Sequence, residues 1–241
     1  MKMTCLAVAL SSLFILAQNP EEILEKAAKA QLGETRAEDI YSVHTKGVIT
    51  LPGGIVGEFE SFYKEGSKYY QKASVPAVGL EIIQACDGKD CYSQEPMLGP
   101  RLLTGQELSN TLLEADFQSE INWKETFTSY QFLGTADIEG VPCYKLNLVT
   151  RTGLEVTNYY NIETALLKRT DTVVVHQDLG TISGKIYYDH YQEFEGIKMP
   201  TLIVFEMISG RMEMRRDMYE FNQKVDDSLF VIPTELKASA Q

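Results

Sequence analysis

The chain changes its hydrophobic rhythm near Val43. Before that point, Asn19-Pro20-Glu21-Glu22 opens a helix. Asn19 can cap it, Pro20 suits the first helical position, and the two glutamates favour the positive end of the helix dipole. Ile23, Ala27 and Ala30 share one face and Gly33 supplies a stop, which predicts one amphipathic helix with a narrow apolar stripe. From Val43 the period is two. "VHTKGVITLPGG" and "IVGEFESFYKEG" meet at the turn Pro52-Gly53-Gly54, and "SKYYQKASV" continues the alternation. The pattern returns after Tyr130, where Lys145 and Asn147 oppose Tyr144, Leu146 and Leu148. It persists through "TISGKIYYDHYQEF", "TLIVFEMI" and "RMEMRRDM". Turn signals separate these runs by about 8–14 residues, the spacing of an all-β barrel or sandwich. Polar positions on one face and apolar positions on the other predict an antiparallel sheet covered on a single side.

One helical stretch interrupts the strands. Thr104-Gly105-Gln106-Glu107 fits a capping box, and Leu108, Thr111, Leu112 and Ala115 then fall on one face. A second short helix is expected around Asn122 to Phe127, carrying Trp123, the chain's one tryptophan. The expected fold is mainly β with a few helices (α+β). It has roughly eleven strands, a helix before them and one or two helices between strands five and six. A sheet that large must curl, which leaves a concave apolar face for the helices to cover.

The first residues change the setting. Lys2 precedes the uncharged run "TCLAVALSSLFILA", and polar "QNPEE" follows. Residues 1–17 read as a secretory signal peptide ending near Ala17, and residues 18–241 as a single exported domain without linker or repeat. The formal net charge of -12 argues against nucleic-acid binding and against electrostatic adhesion to an anionic membrane. Export leaves Cys86, Cys91 and Cys143, in a compartment where disulfides persist and an odd count leaves one thiol over. His44, His176 and His190 sit at no metal-ligand spacing, so no metal site is expected. His176 has no clear face, and His190 has inward parity and reads as a core histidine. There is no Gly-x-Ser-x-Gly elbow, His-Glu-x-x-His pair or phosphate loop, so neither catalysis nor a cofactor is expected. Carboxylate pairs such as Glu58 with Glu60 and Asp226 with Asp227 read as solvated surface.

"LEIIQACDGKDCYSQEPMLGP" resembles the core of the LolA-like, outer-membrane lipoprotein-sorting family. The family has a strand, an Asp-Gly-Lys turn, an aromatic-bearing strand and an acid-Pro step before a helical lid. Here these are Leu80 to Ala85, Asp87-Gly88-Lys89, Tyr92 and Glu95-Pro96. The tail Asp226 to Pro233 resembles the family's closing Phe-x-x-Pro segment. The resemblance implies an unclosed β-barrel with helices over its mouth. It also implies a periplasmic carrier that shields acyl chains of lipoproteins or other lipids. For lipoprotein transfer it would need a release complex at the inner membrane and an acceptor at the outer membrane. A monomer is expected. The arginine that latches the family's lid is replaced here by Glu65. Inward aromatic and thioether side chains are the candidate cavity lining: Phe59, Tyr63, Tyr69, Trp123, Phe205, Met207, Met212, Met214 and Met218. Thioethers repack around variable chains at little cost. The alternative is that these residues fill a core, and that the chain is a non-enzymatic envelope interaction or stress-sensing module.

Asp87-Gly88-Lys89-Asp90 is expected to form the hairpin loop. Cys86 and Cys91 then face each other across the strand pair, within disulfide reach, and Cys143 is left as the free thiol.

Overall fold

A computed structural model describes residues 18–238 except 97, 120, 177 and 179. The expected signal peptide, residues 1–17, lies outside the described residues. Helix α1 (Pro20–Leu32) comes first, followed by six strands: β1 (Ser42–Leu51), β2 (Ile55–Lys64), β3 (Lys68–Val75), β4 (Leu80–Asp87), β5 (Cys91–Glu95) and β6 (Gly99–Leu102). Two helices follow, α2 (Gly105–Glu114) and α3 (Trp123–Thr126). Seven strands complete the sheet: β7 (Phe127–Ile138), β8 (Val141–Thr150), β9 (Glu155–Asn161), β10 (Leu167–His176), β11 (Gly180–Phe194), β12 (Ile197–Met207) and β13 (Gly210–Phe221). A short helix α4 (Thr234–Ala238) ends the chain's described part.

The strands form one 13-stranded sheet in the order β6-β5-β4-β3-β2-β1-β13-β12-β11-β10-β9-β8-β7. The pairings are antiparallel hairpin neighbours, except that β13 returns to β1 and joins the two meanders. The free edges are β6 and β7, and the chain passes from one to the other through α2 and α3. This topology is why the inserted helices cross the gap in the curled sheet. The sheet has two more strands than its alternation predicts. In β6, Gly99-Pro100 reads as a turn, yet an edge strand tolerates proline because one side of its backbone is unpaired. In β10, the run Val173-Val174-Val175 and an irregular register between Leu167 and Arg169 hide the period.

Local chemistry accounts for the landmarks. Asn19 accepts from the Glu21 N–H at 3.0 Å, and the Gly33 N–H closes α1 onto the Lys29 carbonyl. In the β4–β5 hairpin the Asp87 carboxylate accepts from the N–H groups of Lys89 and Asp90. Gly88 is required there: its φ is 95°, and a Cβ would meet the Gly66 carbonyl at 2.5 Å.

Both sheet faces carry apolar packing. The inner face holds Ile23 and Leu24 of α1 against Leu146, Leu148, Val156, Tyr160 and Leu167. On the outer face, Cys143 packs with Ile138, Tyr159, Tyr187 and Val204. The C-terminal tail covers the outer face of the β3–β6 edge: Ile232 packs on Ala85 and Tyr92, and Lys237 pairs with Asp87 at 3.0 Å. The sheet is therefore wet on its outer face only in part, because that tail and the tyrosines seal the rest.

Candidate functional site on the concave face

Directly opposed residues on successive strands form transverse rows, and those on one face share a chemical environment. One inner row reads Phe221–Val43–Tyr63–Tyr69–Cys86–Cys91. Its cysteines form the expected disulfide, with Cα atoms 4.1 Å apart, and Cys143 is the free, buried thiol. Burial pushes the Cys143 pKa up to about 11, so it stays protonated. The adjacent inner row is polar throughout: Tyr219–Thr45–Ser61–Gln71–Gln84–Ser93–Arg101. The Ser61 and Tyr69 hydroxyls both donate to Gln71 Oε1, at 3.1 and 2.7 Å. The row beyond returns to apolar residues apart from its first member: Arg216–Gly47–Phe59–Ala73–Ile82.

Arg101 ends the polar row and ties three separate elements together. Its guanidinium makes a two-pronged pair with Glu107 of α2 at 2.9 and 2.8 Å, and reaches Glu95 of β5 at 3.3 Å. It also meets His176 Nε2, at the end of β10, at 2.8 Å and Asp178, in the following turn, at 3.5 Å. Only 12% of the Arg101 side chain and 11% of the Glu107 side chain are exposed. The Glu107 bond is the leading cause that holds the Arg101 pKa above its ordinary value, with burial acting against it. Edge strand β6 is thereby joined to the lid helix and to the β10–β11 turn on the far side of the gap. Glu65, where the resemblance located the family's latch, is exposed in the β2–β3 turn. In this chain Arg101 makes the corresponding kind of contact with a lid helix.

At the other end of the row, Arg216 Nη1 donates to the Tyr219 hydroxyl at 2.7 Å, and that hydroxyl donates to the Pro200 carbonyl at 2.8 Å. Above this face, α2 ends in Glu114. Its side chain is open to water on one side, yet it is walled so closely by protein that desolvation pushes its pKa up to about 7. Tyr69 senses both charged groups, though burial is the main reason its pKa is raised.

The candidate lining residues fall into distinct groups. Phe59, Phe205, Met212 and Met214 pack together with Ile49 and Val75. Tyr63 and Tyr69 pack with ring centres 4.7 Å apart and planes tilted by 38°, beneath Leu108 and Leu112 of α2. Trp123 packs on Tyr130 in the α1 cluster, away from the tyrosine pair. Met207 borders a depression of about 980 Å³ at the tips of the β8–β9, β10–β11 and β12–β13 hairpins. That depression also takes Gln106 of α2 and, from the outer face, Asp171, Lys185 and Glu206. Met218 stands opposite Lys46 on the outer face, because a bulge between Lys46 and Gly47 skips Asp217 and reverses the parity. The same bulge turns Arg216 inward. Gly47 allows it: a Cβ there would lie 1.9 Å from the Arg215 carbonyl. His190 is corrected for a different reason: the β11–β12 register runs unshifted past it, but its backbone is left-handed, with φ 53°, and the residue is exposed rather than in the core.

Sequence reasoning missed Arg216, and its available signal was the doublet Arg215-Arg216, which breaks the alternation of "RMEMRRDMYE". Among the described residues no His, Cys, Asp and Glu cluster could hold a metal ion, and no helix is long and apolar enough to cross a membrane.

No protein-family model and no curated protein matches this sequence. Solved structures do match the fold. A DUF1329 family protein from Desulfovibrio piger aligns with a TM-score of 0.58 at 15% identity, over 89% of this chain and 98% of its own. A LolA superfamily protein from Nitrosomonas europaea gives 0.55 at 17%, over 90% and 99%. A protein described as an outer-membrane lipoprotein-sorting domain, from Vibrio parahaemolyticus, gives 0.52 at 11%, over 88% and 97%. The chain has a LolA-like fold: a large open antiparallel sheet with helices over its concave face.

Proposed function

We propose that this protein is an exported, non-enzymatic carrier that shields acyl chains of lipoproteins or other lipids under α2. The observation that carries the reading is the state of the inner apolar side chains. Ile82, Ile186, Phe205, Met207 and Met212 point to the concave face yet remain half-buried. A solid core would cover them, whereas a receptor for acyl chains leaves them partly open. The register makes most of them neighbours: Ile186 opposes Phe205, and Phe205 opposes Met212. Burying a chain against such a face gains about 0.8 kcal/mol per methylene, enough for capture without any covalent step. The LolA-like fold supports the same reading, as does the lipoprotein-sorting description of the Vibrio parahaemolyticus domain.

The test is native mass spectrometry of the full chain expressed with export, beside uptake of a fluorescent fatty acid by the purified protein. Co-purified lipid or saturable uptake is expected. Protein that leaves the periplasm empty and takes up no probe would sink the carrier reading. Recovery of a protein partner instead would favour an interaction or stress-sensing module on the same half-barrel.

A further inference from the structure

The carrier reading leaves Arg216 unexplained. An acyl chain needs no cation, and a guanidinium placed among apolar side chains is costly unless an anion meets it. Arg216 lies in the row of Phe59 and Ala73 and is mostly shielded from solvent. Among the described residues it has no ion pair. Burial is the largest influence on it and disfavours its charge. The net shift is nevertheless upward, and the leading offsets come from the phenols Tyr219, Tyr63 and Tyr69 rather than from a carboxylate. One of its N–H groups is used by Tyr219, while Nε is buried without a partner. Thr45 Oγ1, opposite Tyr219 on the neighbouring strand, is also buried without a partner. Two orphaned polar atoms on adjoining strands, one on a cation, describe a receptor for a compact anion. Further along the same face of β13, beyond Met214, Met212 opposes Phe205 and Phe205 opposes Ile186 in the half-open apolar surface.

Resting on the carrier reading, we propose that Arg216, with Thr45, binds the acid headgroup of a single-chain amphiphile whose tail lies along Phe205 and Met212. The substrate class is therefore an acyl compound ending in a free anion, such as a long-chain fatty acid. Acyl chains held as esters or amides present no anion and leave Arg216 unmet. A guanidinium takes a carboxylate through two parallel N–H bonds, which a lysine cannot reproduce.

The experiment compares oleate with methyl oleate, which share a tail and differ in charge, by displacement of a neutral fluorescent acyl probe from the full-length mature protein. The wild type should prefer oleate by roughly ten- to a hundredfold, the range of a charge-assisted hydrogen-bonded pair. Arg216→Gln should bring the ratio close to one while leaving methyl oleate binding in place, and Arg216→Lys should fall between. Inorganic phosphate at millimolar concentration should not displace the probe. A wild-type ratio near one, or an unchanged ratio in Arg216→Gln, overturns the proposal, and neither result depends on the glutamine variant alone because the wild type and Arg216→Lys report on their own. Displacement by phosphate overturns the amphiphile assignment and makes the site a receptor for free anions. If the wild type binds neither oleate nor methyl oleate, the carrier reading has failed. Binding of both with equal affinity removes only the acid headgroup.

Discussion

Arg101 closes one end of the polar row inside the curled sheet, Arg216 adjoins Tyr219 at the other end, and their surroundings differ in kind. Arg101 is met by Glu95, Glu107 and Asp178, and closes the space between an edge strand, a lid helix and a distant turn. Arg216 has phenols and orphaned atoms around it, and no carboxylate partner among the described residues. A buried cation met by several carboxylates holds a structure together. A buried cation left unmet by its own protein is a cost to the empty state, which a ligand can remove. Arg101 ties the inserted helix to the sheet edge, whereas Arg216 is, on the proposal above, the arginine left for cargo.

The sharpest way to break this distinction is to make the same replacement at both ends. Arg101→Leu strands Glu95 and Glu107, and should cost roughly 3–5 kcal/mol in urea unfolding. Arg216→Leu removes a charge without a carboxylate partner. The ligand-free protein should then change by about 1 kcal/mol or less, the lost Tyr219 bond being offset by relief of desolvation. Equal losses at the two sites would show that Arg216 is as structural as Arg101.

A smaller effect is expected from the Cys86–Cys91 bridge, one row away from Arg101. Its loop is short, so replacing both cysteines by serine should cost about 2 kcal/mol. Non-reducing peptide mapping should find these two residues joined and Cys143 free. Denaturation curves that superimpose with those of the wild type would mean that the bridge adds nothing to the strands that hold the Arg101 end.

The smallest effect concerns Glu114, which stands over the Arg216 end. Its pKa in the folded protein, about 7, is above its ordinary 4.5 because the protein wall on one side of it desolvates the carboxylate. The folded state thus binds this proton more tightly than the unfolded chain. The resulting stability is fully present below the ordinary value and is lost as pH rises through about 7. Glu114→Gln cannot lose it, so the variant should gain thermal stability relative to wild type between pH 5 and pH 8. A difference between the two proteins that stays constant across that range would remove Glu114 from the walled space under the lid.

Much of this architecture follows from local chemistry. Asn19, Pro20 and Gly33 bound α1 because capping, a preset φ and a left-handed stop are properties of single residues. The two-residue period marked most strands, and Asp87-Gly88 marked the hairpin that carries the disulfide. The inner site was less accessible, since alternation assigns faces only while the register is unbroken and the backbone extended. The bulge at Gly47 exchanged Met218 for Arg216, and a left-handed backbone at His190, with the register unbroken, turned a histidine from the expected core to the surface. Strand β6 was hidden because Gly99-Pro100 is a turn signal everywhere except at a sheet edge.

Element type, the turns and the bridging cysteines could thus be inferred from the chain alone, because each depends on neighbours within a few positions. The polar row from Tyr219 to Arg101 depends on pairing between distant residues such as Thr45 and Tyr219, and the neighbouring pair His44 and Glu220 is 176 positions apart. Which arginine is neutralised and which is left open is likewise set by how the sheet curls and brings β10 against β6. Those are properties of register and long-range packing, and they exist only once the sheet has assembled.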